Sequence, residues 1–414
     1  MVIAQPIETS FTARMAPWSL IAAALVLLAT YPLARGEGVE RVLAYDARYL
    51  HAAGHCLWQG LSPYDLTAFR GCWEEATGEG LHSSFVLPPV SFILALPMGL
   101  MPWLAAEALF DFVQIAACAA LAMVLASLAG MGKATEPRAR LTAALWVALA
   151  LIGHGVVVTV IVGQYAIFTA LGIALAVLGQ RSGRGWMLAL GTLLALWKPH
   201  LSLMVLTLLW LGPPLAFWRW KLAVLAVLAA LAAAVLAIDP DPAVHFTASM
   251  QEHLQNRHTR LSEPGGLNGM LALPGLVSQV SGLTLSLLIA GLVAWLALVW
   301  RVQSSYASGI DRAWPVIGCA IVFGAFLVPH KTYDLAIYSV ALVMLARLAW
   351  PMQLLGGLGF ALAWVPHYTV MAALPFVPLI AWQNLAVLAL GSVFLAAAFD
   401  PTLRRGAPPT QRRN

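Results

Sequence analysis

Long runs of apolar residues alternate along this chain with short polar segments. Three of the runs, residues 18–33, 141–162 and 283–300, approach or reach the ~20 apolar residues that cross a ~30 Å hydrocarbon core. None of them shows the regular alternation of apolar and polar positions that is typical of a membrane strand. Since the backbone polar groups of a segment in lipid must be paired within that segment, the pattern predicts transmembrane α-helices.

The composition supports a membrane protein. Of the 414 residues, 61% are hydrophobic and only 10% are charged, whereas soluble proteins carry roughly 25% charged residues. We therefore predict an all-α polytopic fold of about ten to twelve transmembrane helices, forming a single integral membrane domain over residues 1–414. The net charge of +5 is small for this length, so it indicates membrane topology and no nucleic-acid partner.

Lysine and arginine positions in the loops predict which side each loop faces. The basic clusters in residues 133–140, 181–184, 219–221 and 301–312 and the tail 400–414 should be cytoplasmic. The opposite, extracytoplasmic side should hold a long first loop at 34–84, a second outer loop at 239–266 and the turn Pro329–Lys331. We interpret residues 18–33 as an uncleaved first span.

The stretch between the first outer loop and residue 133 leaves the topology open. An odd number of crossings is required there, yet two apolar runs are visible, at 86–101 and 106–130. Either one run is re-entrant or one loop is assigned to the wrong side.

The four cysteines fall into two groups. Cys118 and Cys319 lie in apolar runs, where a small buried thiol is expected. Cys56 and Cys72 lie in the first outer loop and could form a disulfide in an oxidising compartment. Whether they do so depends on geometry that sequence does not supply.

A surface helix is predicted within residues 40–58, where apolar positions recur at three- and four-residue steps (Tyr49, Leu50, Ala53, Leu57). Asp46 precedes them by about one turn and would lie at the boundary between the helix bundle and water. It could act there as a base. The alternative is a solvated surface acid, or a partner of Arg48 or Arg41.

A set of short motifs follows in a fixed order along the chain: Asp46, Tyr49, Ala52-Ala53, Gly60, Pro63-Tyr64, Pro88-Pro89, Gly163-Gln164, Gly183-Arg184, Lys198-Pro199 and Pro329 with Tyr333-Asp334-Leu335. In order and spacing they resemble glycosyltransferase family 87, over residues 40–350. Members of that family are polyprenyl-phosphate-sugar-dependent transferases of the GT-C superfamily, many of them mannosyltransferases. The chain departs from the family at Leu87, where an aromatic residue is usual, and in residues 328–334.

The resemblance implies a GT-C-type bundle in which Asp46 is the general base that deprotonates an acceptor hydroxyl. In-line attack would invert the anomeric configuration. Because the leaving group is a lipid phosphate, it needs cationic stabilisation, for which we select Lys198, His330 and Lys331. The alternatives are a snorkelling lysine at 198 and simple loop charges at 330 and 331.

Further substrate contacts are expected from polar residues near these motifs. Asp334 could pair with one of the three cations, and Gln164 could bind sugar or phosphate, or merely cap a helix. Trp58 and Trp73 are candidates for stacking on the acceptor. The remaining candidate substrate-binding residues are Tyr49, Tyr64, Arg257 and Arg260.

No metal and no cofactor are predicted, the lipid-linked sugar itself being the donor. The histidines of the second outer loop invite a metal site, but His253 and His258 are five residues apart and so do not share a helical face. The expected partners are the lipid bilayer, the polyprenyl-phosphate sugar and a glycolipid or polysaccharide acceptor. We place the protein in a bacterial plasma (inner) membrane with its active site facing outward.

Two other classes of function stay open. A transporter or lipid flippase would need ionisable residues near the middle of several spans, for which Asp111 and His154 are the main candidates. A non-catalytic assembly subunit of an envelope-polymer machine would tolerate loss of Asp46.

Overall fold

The fold comes from a computed structural model that describes residues 11–30, 45–80, 84–211, 217–255, 310–327, 332–364 and 379–403, together with positions 293, 297 and 300. Helices and turns make up these residues, and no strand occurs among them. The predicted all-α class is therefore confirmed for this part of the chain, while the total number of spans stays a prediction.

The helices are, in chain order, α1 (Phe11–Thr30), α2 (Tyr45–Trp58), α3 (Leu66–Thr77), α4 (Phe92–Gly99), α5 (Trp103–Leu128), α6 (Pro137–Leu151), α7 (His154–Val162), α8 (Ala166–Ser182), α9 (Gly185–Ala195), α10 (Pro199–Leu211), α11 (Trp218–Ile238), α12 (Pro242–Gln255), α13 (Ile310–Leu327), α14 (Tyr338–Leu345), α15 (Trp350–Trp364) and α16 (Leu379–Phe399). Short 3₁₀ helices occupy Pro89–Ser91, Thr332–Ile337 and Pro401–Leu403.

Two helices of the described part, α5 and α11, are each long and apolar enough to cross a membrane, and the bent pair α6 and α7 together forms a third candidate. The run 141–162 was predicted as a transmembrane helix, and the structure divides it between the two helices of this bent pair. The chain breaks after Leu151, and the two halves meet at 43°. Gly153, the N-cap residue of α7, has the extended backbone of a new helix start, so the helical ladder cannot continue through it.

The segment predicted as the first outer loop contains a helix where one was predicted, α2, followed by α3. Asp65 caps α3, since its carboxylate accepts hydrogen bonds from the N–H groups of Thr67 (2.8 Å) and Ala68 (3.2 Å). Helix α2 packs closely on α4 at Gly54, where an added Cβ would lie 1.9 Å from the carbonyl oxygen of Ala95. The outer segment is thus built onto the bundle.

The two apolar runs between residues 84 and 133 form helices of very different length. With its preceding 3₁₀ turn, α4 covers 11 residues, about 16 Å at the helical rise, and it packs on α2. Helix α5 has 26 residues, ample for a crossing. The number of crossings in this stretch stays a prediction.

The second outer loop begins with α12, which returns to contact α3. Residues 332–337, the 3₁₀ helix that contains Asp334, pack against α7 and α8. This contact brings residues 332–337 beside α7 and α8. Residues near 46, 164, 198 and 334 thereby belong to one neighbourhood.

Candidate active site

Asp46 lies in the first turn of α2 and is half-buried. The side-chain amide of Gln164 donates a hydrogen bond to its carboxylate. The hydroxyl of Tyr165 donates another to its main-chain carbonyl. Arg48, considered above as a partner of Asp46, forms an ion pair with Glu79 at 3.2 Å.

The junction between α7 and α8 places both donors. Gly163 ends α7 with a φ of 68°, a left-handed conformation that glycine adopts without strain. The next residue, Gln164, donates its main-chain N–H to the carbonyl of Thr159 at 2.8 Å. Its side chain is buried at 5% exposure, and Oε1 has no hydrogen-bond partner among the described residues. Gln164 thus presents its amide to the carboxylate from a tight turn.

Lys198 and Asp334 form a buried ion pair, with Nζ and Oδ1 2.5 Å apart. Lys198 directly precedes α10, and Asp334 belongs to the 3₁₀ helix at 332–337. Only 8% and 6% of the two side chains is exposed, so the lysine does not snorkel to water. The ring of Trp197, its neighbour in the chain, lies 5.9 Å from that of Tyr165. This contact links the ion pair to the Asp46 cluster.

The predicted aromatic contacts lie in packed positions. Tyr49 is buried against the rings of Phe69 and Trp73. Tyr64 is also buried and donates its hydroxyl to the carbonyl of Leu87 at 2.7 Å; its ring packs on Phe85, which in turn contacts Phe69. Trp73 is fully buried, so the expectation that it stacks on an acceptor was wrong.

Trp58, the other candidate for acceptor stacking, is 55% exposed. Its indole N–H donates to the carbonyl of Leu96 at 2.8 Å, so the ring is held at the contact between α2 and α4. Four further predicted residues, His330, Lys331, Arg257 and Arg260, lie outside the described residues.

Comparison with known proteins supplies the class of activity. The sequence profile described as glycosyltransferase family 87 matches residues 85–311, more than half of the chain. The chain belongs to glycosyltransferase family 87. No curated protein matches it significantly. This membership favours an enzyme over the transporter or lipid flippase considered above.

Within this family 87 glycosyltransferase, the matched range includes Gln164, Lys198, Arg257 and Arg260. Asp46 and Asp334 lie outside it, so their inclusion in the site rests on their contacts with Gln164 and Lys198. The family match therefore covers Gln164 and Lys198, and one hydrogen bond and one ion pair connect Asp46 and Asp334 to them.

A disulfide joins Cys56 of α2 to Cys72 of α3 in the glycosyltransferase, and the free thiols Cys118 and Cys319 are both buried. The bond ties α2 to α3 near the C-terminal end of α2, away from Asp46 in its first turn. Among the described residues, no group of three or more His, Cys, Asp or Glu side chains could hold a metal ion. Absence of a metal stays an expectation.

Sequence reasoning missed two polar residues, Tyr165 and Gln114, and one ion pair, Asp239–His245. Tyr165 follows the Gly163-Gln164 motif directly, and a polar aromatic residue at a helix break was the available signal. Gln114 is a single amide in the apolar run of α5, a signal that indicates a buried hydrogen bond but not its partner. Asp239 and His245 pair at 2.9 Å, which their six-residue separation does not predict.

Proposed function

We propose that this protein transfers a hexose, most simply mannose, from a polyprenyl phosphate to a hydroxyl of a glycolipid or polysaccharide at the outer face of a bacterial plasma membrane. Asp46 is the general base, and the anomeric configuration inverts. The observation that carries the proposal is the hydrogen bond from Gln164 to the Asp46 carboxylate.

The position of Asp46 suits a base. It is half-buried at the start of an outer helix, where an acceptor from the aqueous side and a donor from the bilayer can meet. The Gln164 amide fixes the orientation of the carboxylate, and held geometry of this kind is worth a large part of the barrier in a bimolecular transfer. A carboxylate can accept the proton of the hydroxyl as the new bond forms.

Charge stabilisation of the leaving phosphate is assigned to Lys198, His330 and Lys331. The Lys198 ammonium is buried and oriented by Asp334, so it needs little reorganisation when phosphate charge develops. His330 and Lys331 immediately precede the 3₁₀ helix that holds Asp334. Protonation of the leaving group by an acid is not required, since a phosphate monoester leaves as an anion.

The test is sugar transfer from radiolabelled, β-linked polyprenyl-phosphate mannose by membranes that carry wild-type protein, Asp46→Asn or Glu79→Gln at matched expression. Glu79 is an exposed acid of the same outer segment and serves as the control. We expect transfer by the wild type and by Glu79→Gln, a loss of at least about 100-fold in Asp46→Asn, and an α-linked product.

Equal transfer by wild type and Asp46→Asn would contradict the role of Asp46. Transfer from a nucleotide sugar but not from the lipid-linked sugar would overturn the donor class. A β-linked product would overturn inversion.

A further inference from the structure

Gln114 is a buried amide in the apolar helix α5, with only 1% of its surface exposed. Its Nε2 donates to two main-chain carbonyls at the α7–α8 junction, that of Thr159 at 3.1 Å and that of Gln164 at 3.0 Å. The two ends of this junction are thus bridged by one side chain from a neighbouring helix.

The carbonyl of Gln164 needs such a donor. In a regular helix it would accept from the N–H of Phe168, four residues later. That N–H instead bonds to the carbonyl of Tyr165 at 3.0 Å. A buried carbonyl without a hydrogen-bond donor is costly. The amide of Gln114 therefore stabilises the non-helical backbone of the α7–α8 junction, in which the Gln164 carbonyl would otherwise lack a donor.

The same junction carries both donors to Asp46. Gln164 bonds to the carboxylate and Tyr165 to the main-chain carbonyl. A shift of the junction would therefore displace both contacts together. A chain of hydrogen bonds runs from α5 through Gln164 to the carboxylate on α2.

We propose that Gln114 is a positioning residue: it fixes the α7–α8 junction so that Gln164 holds the Asp46 carboxylate in the orientation required for attack. This inference rests on the proposed function, in which Asp46 is the base. Gln114 itself touches no reacting atom.

A matched control exists elsewhere in the described structure. Gln353 of α15 is also 1% exposed, and its Nε2 donates to the carbonyls of Ala346 at 3.4 Å and Leu348 at 2.8 Å. It bridges the break between α14 and α15 as Gln114 bridges that between α7 and α8. Its contacts do not include Asp46 or its two donors.

The experiment compares Gln114→Met, Gln164→Met and Gln353→Met in purified protein. For each variant we measure thermal denaturation, and kcat and KM for the radiolabelled polyprenyl-phosphate mannose used above. Methionine keeps the volume and removes the donor. We expect Gln114→Met to lower kcat about tenfold or more with KM changed less than about threefold. Gln353→Met should lower the denaturation temperature comparably but leave kcat near that of the wild type.

Double variants test whether Gln114 acts through Gln164. Gln114→Met/Gln164→Met should be no slower than Gln164→Met alone, within about twofold, because coupled residues are not additive. In Gln353→Met/Gln164→Met, the fold-decrease in kcat should equal the product of the fold-decreases in the two single variants. A wild-type kcat for Gln114→Met, a change confined to KM, or a multiplicative Gln114/Gln164 pair would overturn the inference.

If Gln114→Met does not fold, Gln114→Asn replaces it, since it keeps the amide but shortens its reach by one methylene. It should lower kcat without raising KM, and an unchanged kcat would count against the inference. Failure of the proposed function is distinguishable, because Asp46→Asn would then transfer sugar at the wild-type rate. An inactive Asp46→Asn with a fully active Gln114→Met refutes the inference alone.

Discussion

Two carboxylate–cation pairs of this glycosyltransferase differ in how far water reaches them. In the Lys198–Asp334 pair both side chains are buried, with 8% and 6% exposed. In the Asp239–His245 pair the carboxylate is buried at 1% exposure, but 34% of the imidazole side chain is open to water. The first pair lies within the helix bundle. The second joins Asp239, which directly follows α11, to His245 in α12.

The difference in exposure indicates that the Lys198–Asp334 pair keeps its charges fixed, whereas the charge of the Asp239–His245 pair can change with pH. Withdrawing both charges from water costs several kcal/mol per ion, which a buried pair recovers only where its geometry is good. The Asp239 carboxylate also accepts a hydrogen bond from Ser62 at 2.6 Å and one from the N–H of Asp241 at 2.9 Å. The half-exposed His245 can gain or lose a proton. The buried pair thus suits a fixed electrostatic role, and the outer pair a pH-dependent structural contact.

The largest effect is expected from breaking the buried pair. Asp334→Asn leaves the Lys198 ammonium buried without the carboxylate and should destabilise the protein by about 3–5 kcal/mol. The measurement is thermal denaturation in detergent. Stability equal to that of the wild type would show that the ion pair is not a fixed feature of the fold.

A paired replacement separates stability from function. Lys198→Met/Asp334→Leu removes both charges and should recover most of the lost stability, since apolar replacement of a buried pair is often neutral. It should still lose sugar transfer, because Lys198 is proposed to stabilise the leaving phosphate. Recovery of both stability and transfer would remove Lys198 from the proposed site.

A smaller, pH-dependent effect is expected at the outer pair. Burial by itself would raise the pKa of Asp239, but hydrogen bonds from Ser62, His245 and the main chain outweigh it and lower that pKa below 3.8. The hydrogen bond to Asp239, with further attraction from that carboxylate, Asp65 and Asp241, raises the pKa of His245 above 6.5, although burial opposes it.

The two pKa shifts define the pH range in which the Asp239–His245 pair stabilises the protein. The Asp239 contribution is present above pH 3.8 and is lost as pH falls through the lowered pKa. The His245 contribution is present below pH 6.5 and declines as pH rises through the raised pKa. His245→Ala should therefore cost about 1 kcal/mol between these limits, an estimate reduced for the exposed imidazole.

Denaturation of wild type and His245→Ala across this pH range checks the window. The difference between them should shrink above pH 6.5 but not vanish, because a neutral imidazole can still donate its Nδ1–H to Asp239. A difference that grows with rising pH would contradict the assignment.

Sequence was sufficient for features whose physics is local. Apolar runs indicated the helical membrane fold, and the three- and four-residue spacing around Tyr49 predicted the helix α2, whose position along a membrane surface stays a prediction. Gln164 and Lys198 were selected through the family resemblance of their motifs, and the structure places both in one neighbourhood. Asp334 was expected to pair with one of three cations, and it pairs with Lys198.

Features that depend on contacts between distant residues could not be predicted in the same way. Gln114 and Gln164 are 50 positions apart, and nothing in the α5 run indicates which carbonyl the amide reaches. Tyr64 was predicted to bind substrate because its side chain could contact a sugar. The packing of α12 and of residues 84–92 buries it instead. The break at Gly153 was missed because one glycine in an apolar run does not by itself end a helix.

The smallest effect is expected at the third ion pair, Arg48–Glu79, which completes the comparison at the exposed end. Glu79 is 51% exposed and Arg48 21% exposed, and Arg48 also lies over the ring of Trp103 at 5.3 Å. Water already solvates the carboxylate, so Glu79→Gln should cost no more than about 0.2–1 kcal/mol. Raising the salt concentration should remove even this difference. A loss of stability comparable to that of Asp334→Asn would contradict the expectation that the contribution of an ion pair increases with its burial. It would also show that the segment around α2 and α3 depends on Arg48 being held in place.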